Sequence, residues 1–418
     1  MPDLAIKAML GGLSALVCAH RNDGAMRDLV SSGHETAGQS DHSQLDPRQR
    51  AWLEVSPTAV DTNVRALRRL LDPACALMAV VKADGYGHGA ATVAKAAVAG
   101  GAAQLGVATL QEGIDLRRAG LTQPMLVLGH LHQADDLRAC LHWQLMPTLS
   151  SMREALLCQN LADGSGRKFA VQLKLDTGMT RLGCAWEDAP RLSEAISQLD
   201  QLELSGIYSH LALADGEATG EGERVTRLQQ QRFDDVLRQL PPSRALRHLA
   251  NSAGTLRDRR LHHDLVRVGL ALYGHCPSAH LDNTVELEPA MHVKARVTLI
   301  RDVASGVGVS YGHRFVTQRA SRLAVVGIGY ADGVSRSLSG KISALHNGQV
   351  LPQVGAITMD QLILDVTDHP QIEAGDVVTL LGRDGDRSIS PRDWSERCDS
   401  IPWEVLCGFK HRLPRVTV

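Results

Sequence analysis

The 418-residue chain has no excess of charge and no block of like charge: 44 lysines and arginines stand against 46 acidic residues, a net charge of −2. Such a surface lacks the basic patch that nucleic acid or an anionic membrane would need, so neither is an expected partner. The chain also lacks a C-x-x-C pair and any His cluster at ligand spacing; its eight cysteines are scattered from Cys18 to Cys407. No metal site is expected, and unpaired, mostly buried thiols point to the cytoplasm. After residue 50 no apolar run approaches the length of a bilayer span.

Residues 1–50 differ in texture from the rest. The run 9–19 is faintly like a signal-peptide core, but it is broken by glycine, follows Asp3 and has no small-x-small cleavage site, so secretion is not expected. The stretch 21–50 is rich in Ser, Gly, Asp, Gln and His and reads as the end of a mobile N-terminal extension. Ordered structure should begin near Ala51-Trp52-Leu53-Glu54-Val55.

With 44% hydrophobic residues, the remainder can bury a large core and should form about two domains. Strand-like runs at 78–81, 105–108, 125–128, 146–149, 170–175, 204–210, 247–250 and 265–268 alternate with segments of helical period, such as Val60, Val64, Leu67 and Leu71. Eight βα units over 51–286 predict a (β/α)8 TIM-type barrel; a doubly wound sheet is the alternative, because periodicity carries no information about closure. From 287 to 418 the pattern becomes period-two strands (292–303, 322–329, 362–367, 376–381), with hairpin dipeptides at Asn347-Gly348 and Asp384-Gly385. This predicts a smaller C-terminal β domain.

Val80-Val81-Lys82-Ala83-Asp84-Gly85-Tyr86-Gly87-His88-Gly89 puts one lysine where an apolar strand meets a glycine-rich turn ahead of a helix. In an α/β fold that is the C-terminal rim, where chemistry is done, and burial there lowers an amine's pKa toward that of an imine-forming nucleophile or a general base. The segment resembles the pyridoxal phosphate lysine segment of bacterial alanine racemases, fold-type III enzymes, and the pattern recurs from about Trp52 to Arg415. The resemblance implies pyridoxal 5′-phosphate on Lys82, the 52–55 strand joined to the β domain, and a homodimer with shared sites.

Barrels of this kind bind phosphate in the loops after strands seven and eight. Asn251-Ser252-Ala253-Gly254 and Gly269-Leu270 stand there; Asn-Ser by itself is more often a helix cap, but two such loops at the expected positions favour a phosphate cradle. By resemblance, Tyr86 adds a phenolic donor. Arg267, in Val266-Arg267-Val268-Gly269, sits at a strand end facing the mouth, where it needs an acceptor. The family match sets it against the pyridine nitrogen, and a guanidinium, unable to release its proton, weakens the ring as an electron sink.

Racemisation needs two acid/base groups on opposite faces of a planar centre. The resemblance implies Lys82 for one and, for the other, Tyr311 of a second subunit, with His210 linking that phenol to Arg267. It further assigns Arg181 to the substrate carboxylate or the cofactor's phenolic oxygen, Met359 to the substrate carboxylate, a carbamylated Lys174 as partner to Arg181, and Tyr330, Asp332, Arg336 and Asp215 to the entrance. Two departures stand out: Trp403 replaces the usual tyrosine, and Thr180 the usual glycine or asparagine. The implied activity is interconversion of L- and D-alanine, supplying peptidoglycan synthesis. A racemase of serine or a larger amino acid, a non-catalytic pyridoxal phosphate carrier and a sugar-binding barrel are the alternatives.

Overall fold

The computed structural model describes residues 46–217 and 219–418, so the run 9–19 and most of the polar extension lie outside the described residues. Eight parallel strands form one sheet: Ala76–Val80, Gln104–Val107, Met125–His130, Met146–Leu149, Phe169–Asp176, Leu202–Tyr208, Leu246–His248 and Leu265–Val268. They neighbour one another in chain order, with the last beside the first. Arg267 N donates to Ala250 O (3.0 Å) and Asp264 N to Arg247 O (3.0 Å), which close the ring between the seventh and eighth strands. Sequential order and closure define a TIM-type barrel, and the doubly wound alternative falls.

The strands read as nearly continuous apolar runs because both of their faces are covered. Met78, Leu126, Met146, Tyr208 and Leu265 fill the barrel interior. On the outer face Leu77, Leu105, Val127 and Leu173 pack under the helices. Helix starts are capped locally: Ser56 Oγ accepts from Ala59 N (3.2 Å), and Thr109 and Glu112 form a capping box.

The second sheet has nine strands and is mostly antiparallel. Its long strand, Met291–Val303, pairs with Ser321–Val326 and Val377–Asp384. Ala51–Val55 adds to it, antiparallel to Met291–Val303 and parallel to Arg415–Thr417, so both ends of the described chain lie in this sheet. Asn347 and Gly348 have φ of +49° and +73° and form a two-residue hairpin between Ser343–His346 and Gln349–Pro352. At the second hairpin Asp384 still pairs, with Arg387, so the turn sits one residue later, at Gly385-Asp386. Between barrel and β domain, buried Asn63 satisfies three backbone groups: Nδ2 donates to Leu272 O (3.1 Å) and Glu288 O (2.8 Å), and Oδ1 accepts from Glu288 N (2.8 Å).

Candidate active site

Lys82 follows the first barrel strand and opens a turn wound the wrong way for L-residues. Ala83, Asp84, Gly85, Tyr86 and Gly87 all have positive φ, from +52° to +82°. Each non-glycine there costs about 1–2 kcal/mol, so the surroundings must impose the shape. They do so through two carboxylates. Asp84 Oδ1 accepts from Ala90 N (2.9 Å), while Glu112 accepts from Ala83 N (2.7 Å) and from Ala108 N (2.7 Å). Glu112 escaped the sequence reading, although its Thr-x-x-Glu spacing was visible as a capping box. Burial, and then the charge of Arg181, lower the Lys82 amine below the ordinary lysine value.

Lys174, on the strand Phe169–Asp176, is buried, and its amine is pulled down to about 8 by burial, then by Arg267, Arg181 and Lys82. Arg267, only 3% exposed, donates to the backbone oxygens of Ser209 (2.7 Å), His248 (3.1 Å) and Leu249 (3.0 Å). Its Nη1 meets His248 Nδ1 (3.0 Å) and its Nη2 meets His210 Nδ1 (3.2 Å). A guanidinium has only donors, so both imidazoles must accept at Nδ1 and carry their proton on Nε2. That agrees with His210 and His248 being held well below the ordinary histidine value by burial and then by Arg267. Burial draws Arg267 itself down to about 10, still charged at neutral pH. Its Nε–H alone has no hydrogen-bond partner among the described residues.

Beneath these cations lies Tyr208, which the sequence reading did not single out. Its ring lies 5.4 Å from Lys174 Nζ and 5.1 Å from the Arg267 guanidinium, and it stacks on His248. Arg181 is exposed on the loop after Asp176. Asp176 Oδ1 shapes that loop by accepting from Gly178 N (2.9 Å), Met179 N (2.9 Å) and Thr180 N (3.0 Å). Thr180 adopts φ +55°, which explains why glycine or asparagine suits the position. Among the described residues, Lys82, Lys174, Arg181 and Arg267 form no ion pair within 4.0 Å.

Asn251 caps the helix Ser252–Arg257 through its Oδ1, which accepts from Gly254 N (3.0 Å). The Ser252 hydroxyl accepts from Gly269 N (2.9 Å) and Ala271 N (3.4 Å), joining the two loops after the last barrel strands. Leu270 begins the short 3-10 turn that follows, and a Cβ on Gly269 would strike the Tyr86 hydroxyl. Lys82, Tyr86, Lys174, His210, Ser252, Arg267 and Gly269 therefore converge at the mouth.

Tyr311 and Met359 do not join them within the chain. Tyr311 is 71% exposed on a turn of the β domain, and Met359 is 52% exposed. Of the entrance residues, Tyr330, Arg336 and Asp215 are exposed, but Asp332 is fully buried in an ion pair with Arg50 and lines nothing. Trp403 is half-buried on the helix Pro402–Cys407, which packs on the Lys82 turn: a Cβ on Gly87 would lie 2.6 Å from Leu406 O. Among the described residues no helix is long and apolar enough to cross a membrane, and no cluster of His, Cys, Asp or Glu could hold a metal ion.

A closed parallel barrel with a lysine and three further cations at its C-terminal rim, followed by a mostly antiparallel sheet, is the architecture of the α/β-barrel class, whose active sites lie at that rim. The alanine racemase N-terminal domain family matches residues 55–277 and the C-terminal domain family residues 290–417. The chain belongs to the alanine racemase family, a family of isomerases. It is 61% identical to an alanine racemase of Prochlorococcus marinus, over 90% of this chain and 98% of that one. A relative from Nostoc is 48% identical over 90% and 99%. Among solved structures, alanine racemase from E. faecalis matches with a TM-score of 0.83 and 32% identity, covering 88% of this chain and 98% of that one. The enzyme from Bartonella henselae, described with covalently bound pyridoxal phosphate, matches with a TM-score of 0.79 and 32% identity over 88% and 99%.

Proposed function

We propose that this protein interconverts L- and D-alanine as a cytoplasmic homodimer, with pyridoxal 5′-phosphate held at Lys82 and D-alanine going to peptidoglycan. One observation carries the reading: the mouth gathers Lys82, Lys174, Arg181 and Arg267 with no ion-paired carboxylate among the described residues. Two of the four, Lys174 and Arg267, are buried, and unpaired buried cations are costly, so such a site is completed by anionic ligands. A phosphate ester and an amino-acid carboxylate are such ligands.

The donor set fits the cofactor. Asn251, Ser252 and the backbone of Gly269 and Leu270 would hold the phosphate, with the Tyr86 hydroxyl beside them. The free Nε–H of Arg267 would serve the pyridine nitrogen and keep it unprotonated. When bound, pyridoxal phosphate supplies an electron sink that acidifies the α-proton of an amino acid joined to it. Lys82, with its lowered amine, would carry the cofactor and, once freed by the substrate amine, take or return the α-proton on one face. Tyr311 of a second copy would do the same on the opposite face, which its exposure in the single chain supports. Arg181 and the Met359 N–H would orient the carboxylate, and neutral His210 would hold Arg267 in place and donate through Nε2.

Chiral analysis of amino acids incubated with the cofactor-saturated protein tests the reading. Alanine of either hand should become an equimolar mixture, faster than serine; alanine left unchanged would refute it.

We further propose carbamylation of Lys174. An amine near 8 is partly neutral at physiological pH and can take up CO2, and the resulting anion would pair with Arg181. Without the modification, Lys174 strains the site, and the sign of the effect follows from proton counts. Between about pH 8 and 10.5 the unfolded chain keeps this proton while the folded one sheds it, so the cost of this group to folding is full below pH 8 and shrinks as pH rises through that window. In CO2-depleted, cofactor-free protein, Lys174→Met is expected to stabilise by about 1 kcal/mol at pH 7, allowing for partly wet surroundings. That advantage should shrink above pH 8 in thermal melts; a pH-independent difference would contradict the assignment.

A further inference from the structure

We infer that Arg50 and Asp332 form a positioning pair that sets the substrate-side loop of Met359. The inference rests on the proposed role of that loop toward the substrate carboxylate.

Arg50 lies just before the first strand, in the segment that the sequence reads as extension. Its guanidinium grips Asp332 with two parallel bonds, 2.6 and 2.8 Å long, and also donates to Gly327 O (2.8 Å). Asp332 is 0% exposed and is encircled by donors. Its Oδ2 also accepts from Gly329 N (3.0 Å), and Arg412 Nε stands 3.5 Å from its Oδ1. Arg412 in turn reaches Asp360 (2.8 Å), the residue after Met359.

The carboxylate is thereby the hub of two loops. Tyr330 N donates to Thr358 O (3.0 Å) and Ala331 N to Met359 O (3.0 Å), so residues 329–331 lie directly on 358–359. The approach is so close that a Cβ on Gly329 would collide with Thr358 O and Met359 O. Met359 and Tyr330 themselves remain exposed. Two exposed functional residues thus hang from one bidentate ion pair whose carboxylate is buried and whose guanidinium is 34% exposed, the geometry that fixes a loop in a single place. Breaking it lets the Met359 N–H drift, and a substrate contact made equally in the ground and transition states is lost as KM.

The experiment uses Arg50→Met, Asp332→Asn and the double variant, each as cofactor-loaded full-length protein. Kinetics are followed in both directions, with propionate as a competitive probe of the carboxylate site. Each single variant should raise KM for alanine and Ki for propionate together by about tenfold, with kcat within about threefold and cofactor absorbance unchanged. The double variant should be no worse than the singles, because the two residues act as a unit. If Arg50→Met fails to fold because it strands a buried carboxylate, the double variant, which removes that charge, still reports KM and Ki. Wild-type KM and Ki in these variants would overturn the inference, as would equal loss in kcat. A wild-type protein that leaves alanine unchanged or is indifferent to propionate would instead strike the proposed function.

Discussion

Lys82→Ala is expected to lower kcat for alanine racemisation by about 10⁴-fold or more, to remove the visible band of the cofactor-loaded protein, and to leave the fold intact. The size follows from the two roles assigned to one amine, covalent attachment and proton transfer, neither of which a neighbour can assume. Lys174 is a second amine close enough to feel the Lys82 charge, but it rises from within the barrel strand Phe169–Asp176 over the Tyr208 ring, whereas Lys82 starts the turn beyond its own strand. The turn should survive the substitution, because Asp84 and Glu112 hold it by backbone bonds that do not involve the lysine side chain. Thermal unfolding and absorbance spectra of the variant check both halves. An alanine variant that still racemises within tenfold of the parent would remove Lys82 from the mechanism.

Tyr311→Phe should cost about 10²–10⁴-fold in racemisation, with the deficit in α-proton exchange concentrated on L-alanine and the cofactor still bound. Phenylalanine keeps the ring and deletes only the hydroxyl, so a packing role would survive it. Because Tyr311 is largely exposed in one chain, a shared site makes a further demand. Mixed dimers of Lys82→Ala and Tyr311→Phe subunits contain one site with both native groups and one with neither. A one-to-one mixture should therefore regain about a quarter of wild-type activity by random pairing. No recovery in verified mixed dimers would place both groups in one chain.

The barrel was legible from the eight apolar runs because strands buried on both faces need no polar alternation, and their order followed from the chain. Closure was not, since it rests on two backbone bonds, at Arg267 and Asp264, that leave no trace in side-chain pattern. Lys82, Arg267 and the loops after the last strands could be picked out because strand ends and glycines mark them. The left-handed turn at Ala83, Asp84 and Tyr86 could not, because alanine and tyrosine there contradict local preference and only the Glu112 and Asp84 clamps make it stable. Asp332 misled for a related reason: in sequence a Tyr-Ala-Asp-Gly segment is a polar loop, and only the distant Arg50 turns its carboxylate inward. Tyr208 went unnoticed because a tyrosine on a strand signals core packing, which it provides while also flooring the cation cluster.

Borohydride reduction of the cofactor-loaded native protein, followed by peptide mapping, tests the central claim most directly. The pyridoxyl group should be fixed on the peptide containing Lys82 and nowhere else. A label on Lys174 or another amine, or no label on fully loaded protein, would contradict the account.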